Sequence, residues 1–292
     1  METLINGLSL GGIYALIALG YTMVYGIAKM LNFAHGDIIM AGAYVILMVI
    51  GMQGNLLLSV AALLVAVAFC VILGIVTERL AYRPLRGASP LAVLITAIGV
   101  SYLLQSVAQL IFTSEGQPVA TGAAQLGSVK FLGANIQVSS LITLALCITI
   151  MVALTLFVAK TRIGRAMLAV SEDRGAASLM GINTNFIITL TFAIGSALAA
   201  FASLFYLMRF PVVSPTLGSM PGIKAFTAAV IGGIGSIPGA MLGGVLLGVI
   251  ECICQSIPTL SPYTIAIEFG LLIVILLVRP VGLLGKKRRE KV

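Results

Sequence analysis

Three polar residues, Asn32, His35 and Asp37, interrupt an apolar run at 30–51 in the stretch AKMLNFAHGD. Ionisable side chains in membrane-length apolar segments are expensive to desolvate, so each is a candidate for transport chemistry. Helical spacing puts Asn32, His35 and Gly36 on one face with Ile39 and Met40, and Phe33 and Asp37 on another with Ala41 and Tyr44. His35 and Asp37 are therefore not a natural pair along one helix. Asn32 could cap the first turn, which makes the group a buried packing node. The alternative is a gate at the inner mouth. At the helical rise Asp37 falls about 8 Å past Asn32, close to the cytoplasmic interface. Glu251 and Glu268 form a second constellation, seven residues before Pro258 and six after Pro262. A hairpin turning at 258–262 brings both carboxylates to similar depth, roughly 10 Å below its outer end. They could face a wet outer vestibule that meets a zwitterionic or cationic solute. Each could instead bond a neighbouring helix, as in Glu268 to Thr264.

The sequence contains no catalytic set. It has a single histidine, no H-E-x-x-H and no G-x-x-x-x-G-K-[ST] loop, and GLLGKK near its end has the wrong spacing for phosphate. The four cysteines all sit in apolar runs, and Cys252 and Cys254 point to nearly opposite sides of a helix. They read as small buried hydrophobes, neither disulfides nor metal ligands. No cofactor is expected, and ATP must be hydrolysed elsewhere if it drives this chain.

The other chemistry-bearing stretch is KTRIGRAMLAVSEDRGAASLMGIN at 160–183. Ile163, Met167 and Val170 follow helical spacing, leaving Arg162, Arg165 and Glu172 to water. Asp173 can cap a second short helix through Ala176 and Leu179, with Gly181 at the left-handed C′ position and Ile182 as the apolar residue beyond it. Two short amphipathic helices joined at Gly175 make a knob whose apolar face must meet either a partner's groove or the membrane surface.

The elements that position these groups are membrane-spanning. With 60% hydrophobic and 9% charged residues, the chain cannot be a soluble globular domain. Apolar segments long enough to cross a bilayer recur at about 4–25, 30–51, 55–77, 90–113, 139–159, 184–208, 222–237, 239–257 and 262–278. The expected fold is all-α, one polytopic membrane domain over 1–292 with about eight to ten transmembrane helices. The uncertainty lies in IGGIGSIPGAMLGG, where Gly235, Gly239 and Gly243 line one stripe and Pro238 removes a donor. A tight helical hairpin and a broken helix lining a path are both compatible with it.

Charge sets orientation. Of 17 basic residues, only Lys130, Arg209 and Lys224 lie away from the segments that carry the other 14. The positive-inside rule makes 78–89, 160–183 and the basic C-terminus cytoplasmic, and nine crossings then place the N-terminus outside. METLINGLSLGG lacks a basic n-region and a cleavage site, so it is read as mature structure. The net charge of +8 suits lipid headgroups at the KKRRE tail and gives no nucleic-acid patch. A self-contained ion-coupled secondary transporter or facilitator using His35, Asp37, Glu251 and Glu268 is the competing class.

GRAMLAVSEDRGAASLMGIN resembles the coupling segment of the permease subunits of branched-chain amino acid ABC importers. GYTMVYGIAKMLNFAHGDIIMAGAYV (20–45) is similar to that family's N-terminal block, and AFTAAVIGGIGSIPGAMLGG (225–244) and LLVRPVGLLGKK (276–287) are similar to its C-terminal signatures. The resemblance spans nearly the whole chain, and the loop 114–138 is its least diagnostic part. It implies a multi-pass permease of a bacterial inner membrane working by alternating access. Its partners would be a second homologous permease chain, two cytoplasmic ABC ATPase subunits and an extracytoplasmic solute-binding protein. On that resemblance Gly164, Arg165, Glu172, Asp173, Ala176, Leu179 and Gly181 dock to an ATPase, and Asn32, Phe33, His35, Gly36 and Asp37 carry the family's other signature. Sister members handle urea, short amides or aromatic acids.

Overall fold

A computed structural model describes residues 2–51, 56–122, 126–131 and 134–285. The basic tail 286–291, expected to sit on lipid, lies outside the described residues. Eleven α-helices carry the described chain: α1 Glu2–Ala28, α2 His35–Ile50, α3 Leu56–Thr77, α4 Pro90–Phe112, α5 Val138–Lys160, α6 Arg162–Glu172, α7 Arg174–Leu179, α8 Thr184–Arg209, α9 Ser219–Gly232, α10 Ile237–Ser256 and α11 Thr264–Val278. Among the described residues, seven helical stretches are long and apolar enough to cross a membrane. The expected all-α polytopic architecture holds. Strand pairing is confined to two small antiparallel ladders, β1 Gln117–Pro118 with β4 Val212–Val213 and the hairpin of β2 Ser128–Phe131 with β3 Ala134–Gln137.

α1 is the axis of the bundle and packs against α5, α8, α9 and α10. It is buried along nearly all its length, because small residues let its neighbours approach. A Cβ on Gly7 would stand 2.9 Å from Val249 Cα, and one on Gly11 2.7 Å from Val245 Cα. Gly244 and Gly248 make the reciprocal contacts with Ala15 and Gly11. In lipid, where helix association draws little on the hydrophobic effect, such backbone proximity supplies the dispersion contact. α3, α4 and α11 sit outside and expose rows of Leu, Ile and Val, as lipid-facing helices do.

The segments 78–89, 160–183 and 279–285 gather at one end of the bundle. Arg86 bonds Glu78 and Asn185, Arg174 donates to the Ala28 carbonyl, and Leu283 N–H bonds the Ile231 carbonyl at 2.9 Å. The loops 114–122, 126–138 and 210–218 lie at the opposite end, with Ser59 Oγ donating to the Thr121 carbonyl at 2.7 Å.

Besides the short knob helices α6 and α7, α2 and α9 do not span. α2 and α9 have 16 and 14 residues, about 24 and 21 Å at the helical rise, short of the roughly 30 Å hydrocarbon layer. α2 begins beside Gly20 and Tyr21, since a Cβ on Gly20 would meet the His35 ring and Tyr21 and His35 pack edge to face at 4.8 Å. Gly20 precedes the end of α1 by eight residues, or about 12 Å. The non-helical segment 29–34 therefore folds back into the bundle, and Asp37 is recessed there, away from the interface position that a continuous span gave it. α9 begins against the same point: Gly218 and Gly222 lie on the Gly36 backbone. From this shared origin α2 runs to the opposite end and α9 to the basic end. At 232–244 the structure forms a helical hairpin: α9 and α10 pack at Gly232/Gly239 and Ala228/Gly243, turning through Gly233 and Gly235 at positive φ. Pro238 breaks nothing, because it sits in the first turn of α10, where a missing N–H is tolerated.

Candidate functional site

At the basic end, α6 and α7 form a knob built by local capping. Thr161 Oγ1 accepts the Gly164 N–H at 2.9 Å and starts α6. Gly164 presses on the Phe157 and Val158 carbonyls, where a side chain would not fit. Asp173 adopts extended backbone between the helices, and its Oδ1 accepts the Ala176 N–H at 3.0 Å. The joint is therefore Asp173, whereas Gly175 lies inside α7. α7 ends as the sequence predicts: Gly181 has φ +79°, its N–H bonds Ser178 O at 3.0 Å, and the Ile182 N–H bonds Ala177 O at 3.1 Å. These two bonds make a Schellman motif, which satisfies the last carbonyls of the helix.

Met167, Val170 and Ala177 face inward, but Ile163 is 39% exposed and does not share their burial. Arg165, Glu172 and Ala176 face solvent. At the tip Leu179 is 89% and Met180 82% exposed. Arg174 ties the knob to the end of α1 through Ala28 O. Burial, and then the neighbouring Arg86, lower its guanidinium below the usual arginine range. Between knob and bundle lies a cavity of about 620 Å³ lined by Tyr25, Lys29, Leu85, Arg86, Asp173 and Arg174.

The sequence-predicted 32–37 group is dispersed among different neighbours. Asn32 does not cap α2 with its side chain: Ala34 holds the N-cap position and makes no such bond. Asn32 Oδ1 instead accepts the Tyr82 hydroxyl at 2.7 Å, which fixes the re-entrant segment to the π-helical turn after α3. The Phe33 ring meets Phe226 at 5.4 Å, and Gly36 provides the contact with α9. His35 and Asp37 point apart, as the spacing required. Asp37 is 2% exposed, and its Oδ1 accepts Gln105 Nε2 from α4 at 2.8 Å. The same amide is 3.2 Å from Ser101 Oγ and 3.3 Å from Ser219 Oγ.

Glu251 and Glu268 do come together, through a third residue. Lys224 Nζ on α9 lies 2.7 Å from Glu251 Oε1 on α10 and 3.3 Å from both oxygens of Glu268 on α11. Tyr14 on α1 donates its hydroxyl to Glu251 Oε2 at 2.8 Å, and Gln255 donates to Oε1 at 3.1 Å. Both carboxylates are buried. Glu268 bonds Lys224, while the Thr264 hydroxyl donates to Ser261 O at 2.9 Å. Lys224 was counted among the basic residues away from the cytoplasmic set; its burial as the counter-ion of two glutamates is the larger fact. A lone cation within GIKAFTAAV was the signal that could have found it. Tyr14, Tyr82 and Gln105 carried no comparable signal.

This arrangement holds no nucleophile or general base opposite a reacting centre, and among the described residues no cluster of three or more His, Cys, Asp or Glu could hold a metal. What it provides is a rigid knob at one end and buried polar contacts around two half-helices.

A family model described as "Branched-chain amino acid transport system / permease component" matches residues 3–277. The chain is 44% identical over 301 residues to the high-affinity branched-chain amino acid transport system permease protein BraD of Pseudomonas aeruginosa, covering 100% of this chain and 98% of that protein. It is 43% identical to the corresponding permease protein LivH of Escherichia coli K12, covering 100% and 97%. A solved inward-facing metal-chelate type ABC transporter aligns over 94% of this chain and 85% of its own at a TM-score of 0.52, with 15% identity, a likeness of fold alone. With the match running from the first turn of α1 to the last of α11, the chain belongs to the family of permease components of branched-chain amino acid transport systems.

Proposed function

We propose that the chain carries branched-chain amino acids across a bacterial inner membrane as one permease subunit of an ATP-binding-cassette importer. A second homologous permease chain completes the path, two ATPase subunits act from the cytoplasm, and an extracytoplasmic binding protein delivers the solute. The basic end faces the cytoplasm, in keeping with the positive-inside rule. The substrate class follows the names of the 43–44% identical relatives.

One observation carries the coupling role: a capped, anchored helix presents Leu179 and Met180 almost fully to solvent at the basic end. An exposed apolar tip on a rigid support suits insertion into a groove of a partner. Arg165, Glu172 and Asp173 surround it with charge, and Gly164, Ala176 and Gly181 set its geometry. Motion of an ATPase would reach α1 through Arg174 and α8 through the Asn183 cap, whose side chain accepts the Phe186 N–H. Asn32, Phe33, His35 and Gly36 pack the origin of the half-helices that must move against each other. The Glu251–Lys224–Glu268 contact clasps α9, α10 and α11 in this reading.

Purifying the tagged chain in mild detergent from its native host tests the proposal. A near-stoichiometric ATPase is expected, lost in a Leu179→Asp/Met180→Asp variant. A chain that arrives alone even after cross-linking contradicts it and favours the self-contained transporter.

A further inference from the structure

Glu251 and Glu268 share the Lys224 ammonium as an ion-pair partner, and Glu78 has Arg86. Asp37 differs. It is buried, and among the described residues no cation stands within ion-pair distance of it. Its side-chain partners, Gln105 and Ser101, are neutral. A buried carboxylate without a counter-charge is strongly disfavoured unless something supplies that charge when the site is at work.

Beside Asp37 is a cavity of about 240 Å³ between α1, α2, α4 and α9. Asp37, Ser101, Ser219 and Tyr21 bring polar groups to its lining, and Ile98 and Ile223 bring apolar surface. A lining with a single anionic group, hydroxyls and aliphatic side chains matches a small molecule bearing one ammonium group and an aliphatic side chain.

We infer that this cavity is a solute subsite in which Asp37 receives the α-ammonium group of an aliphatic amino acid while Ile98 and Ile223 contact its side chain. The inference rests on the proposed import of branched-chain amino acids and deepens it by assigning the contact within this chain. Gln105 is a positioning residue: from α4 it donates to Asp37 Oδ1 at 2.8 Å and fixes the carboxylate at the cavity wall. Leaving the subsite requires only that the half-helices part at Gly36 and Gly218, where the two backbones touch without side chains.

The test uses the assembled importer with its binding protein in proteoliposomes of Escherichia coli polar lipid. Wild-type complex should import leucine with ATP. Asp37→Asn, which keeps the amide contact and the volume, should lower uptake at least about tenfold while ATP hydrolysis stays within about twofold. In an otherwise wild-type complex, Ser101→Cys gives a second readout that does not depend on Asp37 variants folding. Leucine should slow its modification by a charged thiol reagent at least about fivefold, and 4-methylpentanoate, which lacks the ammonium, should not. Wild-type complex that fails to import leucine removes the reading on which the subsite rests, and the subsite with it. Wild-type import with unchanged Asp37→Asn uptake, or with Ser101→Cys modified equally fast with and without leucine, overturns the subsite alone.

Discussion

The knob of α6 and α7 and the origin of the half-helices α2 and α9 are built on opposite plans. In the knob every defining bond is local: Thr161 to Gly164, Asp173 to Ala176, Ile182 to Ala177. Around the half-helices the partners are distant in sequence, with Tyr82 on Asn32, Gln105 on Asp37 and Tyr14 on Glu251. The knob is shaped by its own residues and leaves its apolar tip uncovered. The interior is shaped only when five or six helices have assembled, and it holds buried polar atoms without a hydrogen-bond partner, His35 Nε2 and Thr22 Oγ1 among them. A device that receives force from outside benefits from the first plan, and one that must exist in two packings around a solute benefits from the second.

This contrast predicts separable consequences. The largest effect is expected at the clasp. Lys224→Met leaves two glutamates buried without their cation and should destabilise the bundle by about 3–5 kcal/mol. Thermal unfolding in detergent, followed by a thiol-reactive fluorophore on the buried Cys70, Cys147, Cys252 and Cys254, reads this directly. Adding Glu251→Gln and Glu268→Gln to the same chain should restore most of the loss. If Lys224→Met melts like wild type, the clasp carries no interior energy and the contrast fails there.

Tyr82→Phe is next. It strands a buried Asn32 oxygen, for an expected loss of about 1–3 kcal/mol in the same assay. It should also raise amide exchange in 29–34, the segment that the bond holds inside. Unchanged exchange would mean that the re-entrant segment is held by packing with Met30 and Ala34. Smaller still is Asp173→Ala, which removes one N-cap worth about 1 kcal/mol. Its effect should stay within the knob: faster exchange over 174–181 with no shift in the bundle's melting temperature. A shift in the melt would show that the knob is not the independent unit its bonding describes.

What could be read from sequence follows the same line. The caps of α7 and the glycine that ends it were legible because their donors and acceptors lie within six residues of each other. The displacement of the joint from Gly175 to Asp173 is a local miss: a residue that caps one helix in extended conformation also separates it from the last. The long helices were legible from hydropathy. The short ones were not, because the apolar run 30–51 hides that 29–34 is non-helical and that α2 starts only at His35. Nothing along the chain announced that Gly36 and Gly218 would touch, since that contact depends on where α9 begins. Lys224 illustrates the limit of charge counting, which sorts cations by side and is silent about one buried between two glutamates. The pairing of Glu251 with Glu268 was legible as similar depth in a hairpin; the lysine between them was not.

Cross-linking from the tip of the knob tests the central claim most directly. The native cysteines are buried, so a Met180→Cys chain in native membranes offers one accessible thiol for a short bis-maleimide. The account predicts a single major adduct between this chain and an ABC ATPase, with a yield that changes between nucleotide-free membranes and membranes trapped with ATP and vanadate. Met180→Cys that reacts fully with a monofunctional maleimide yet forms no ATPase adduct in either state would contradict it.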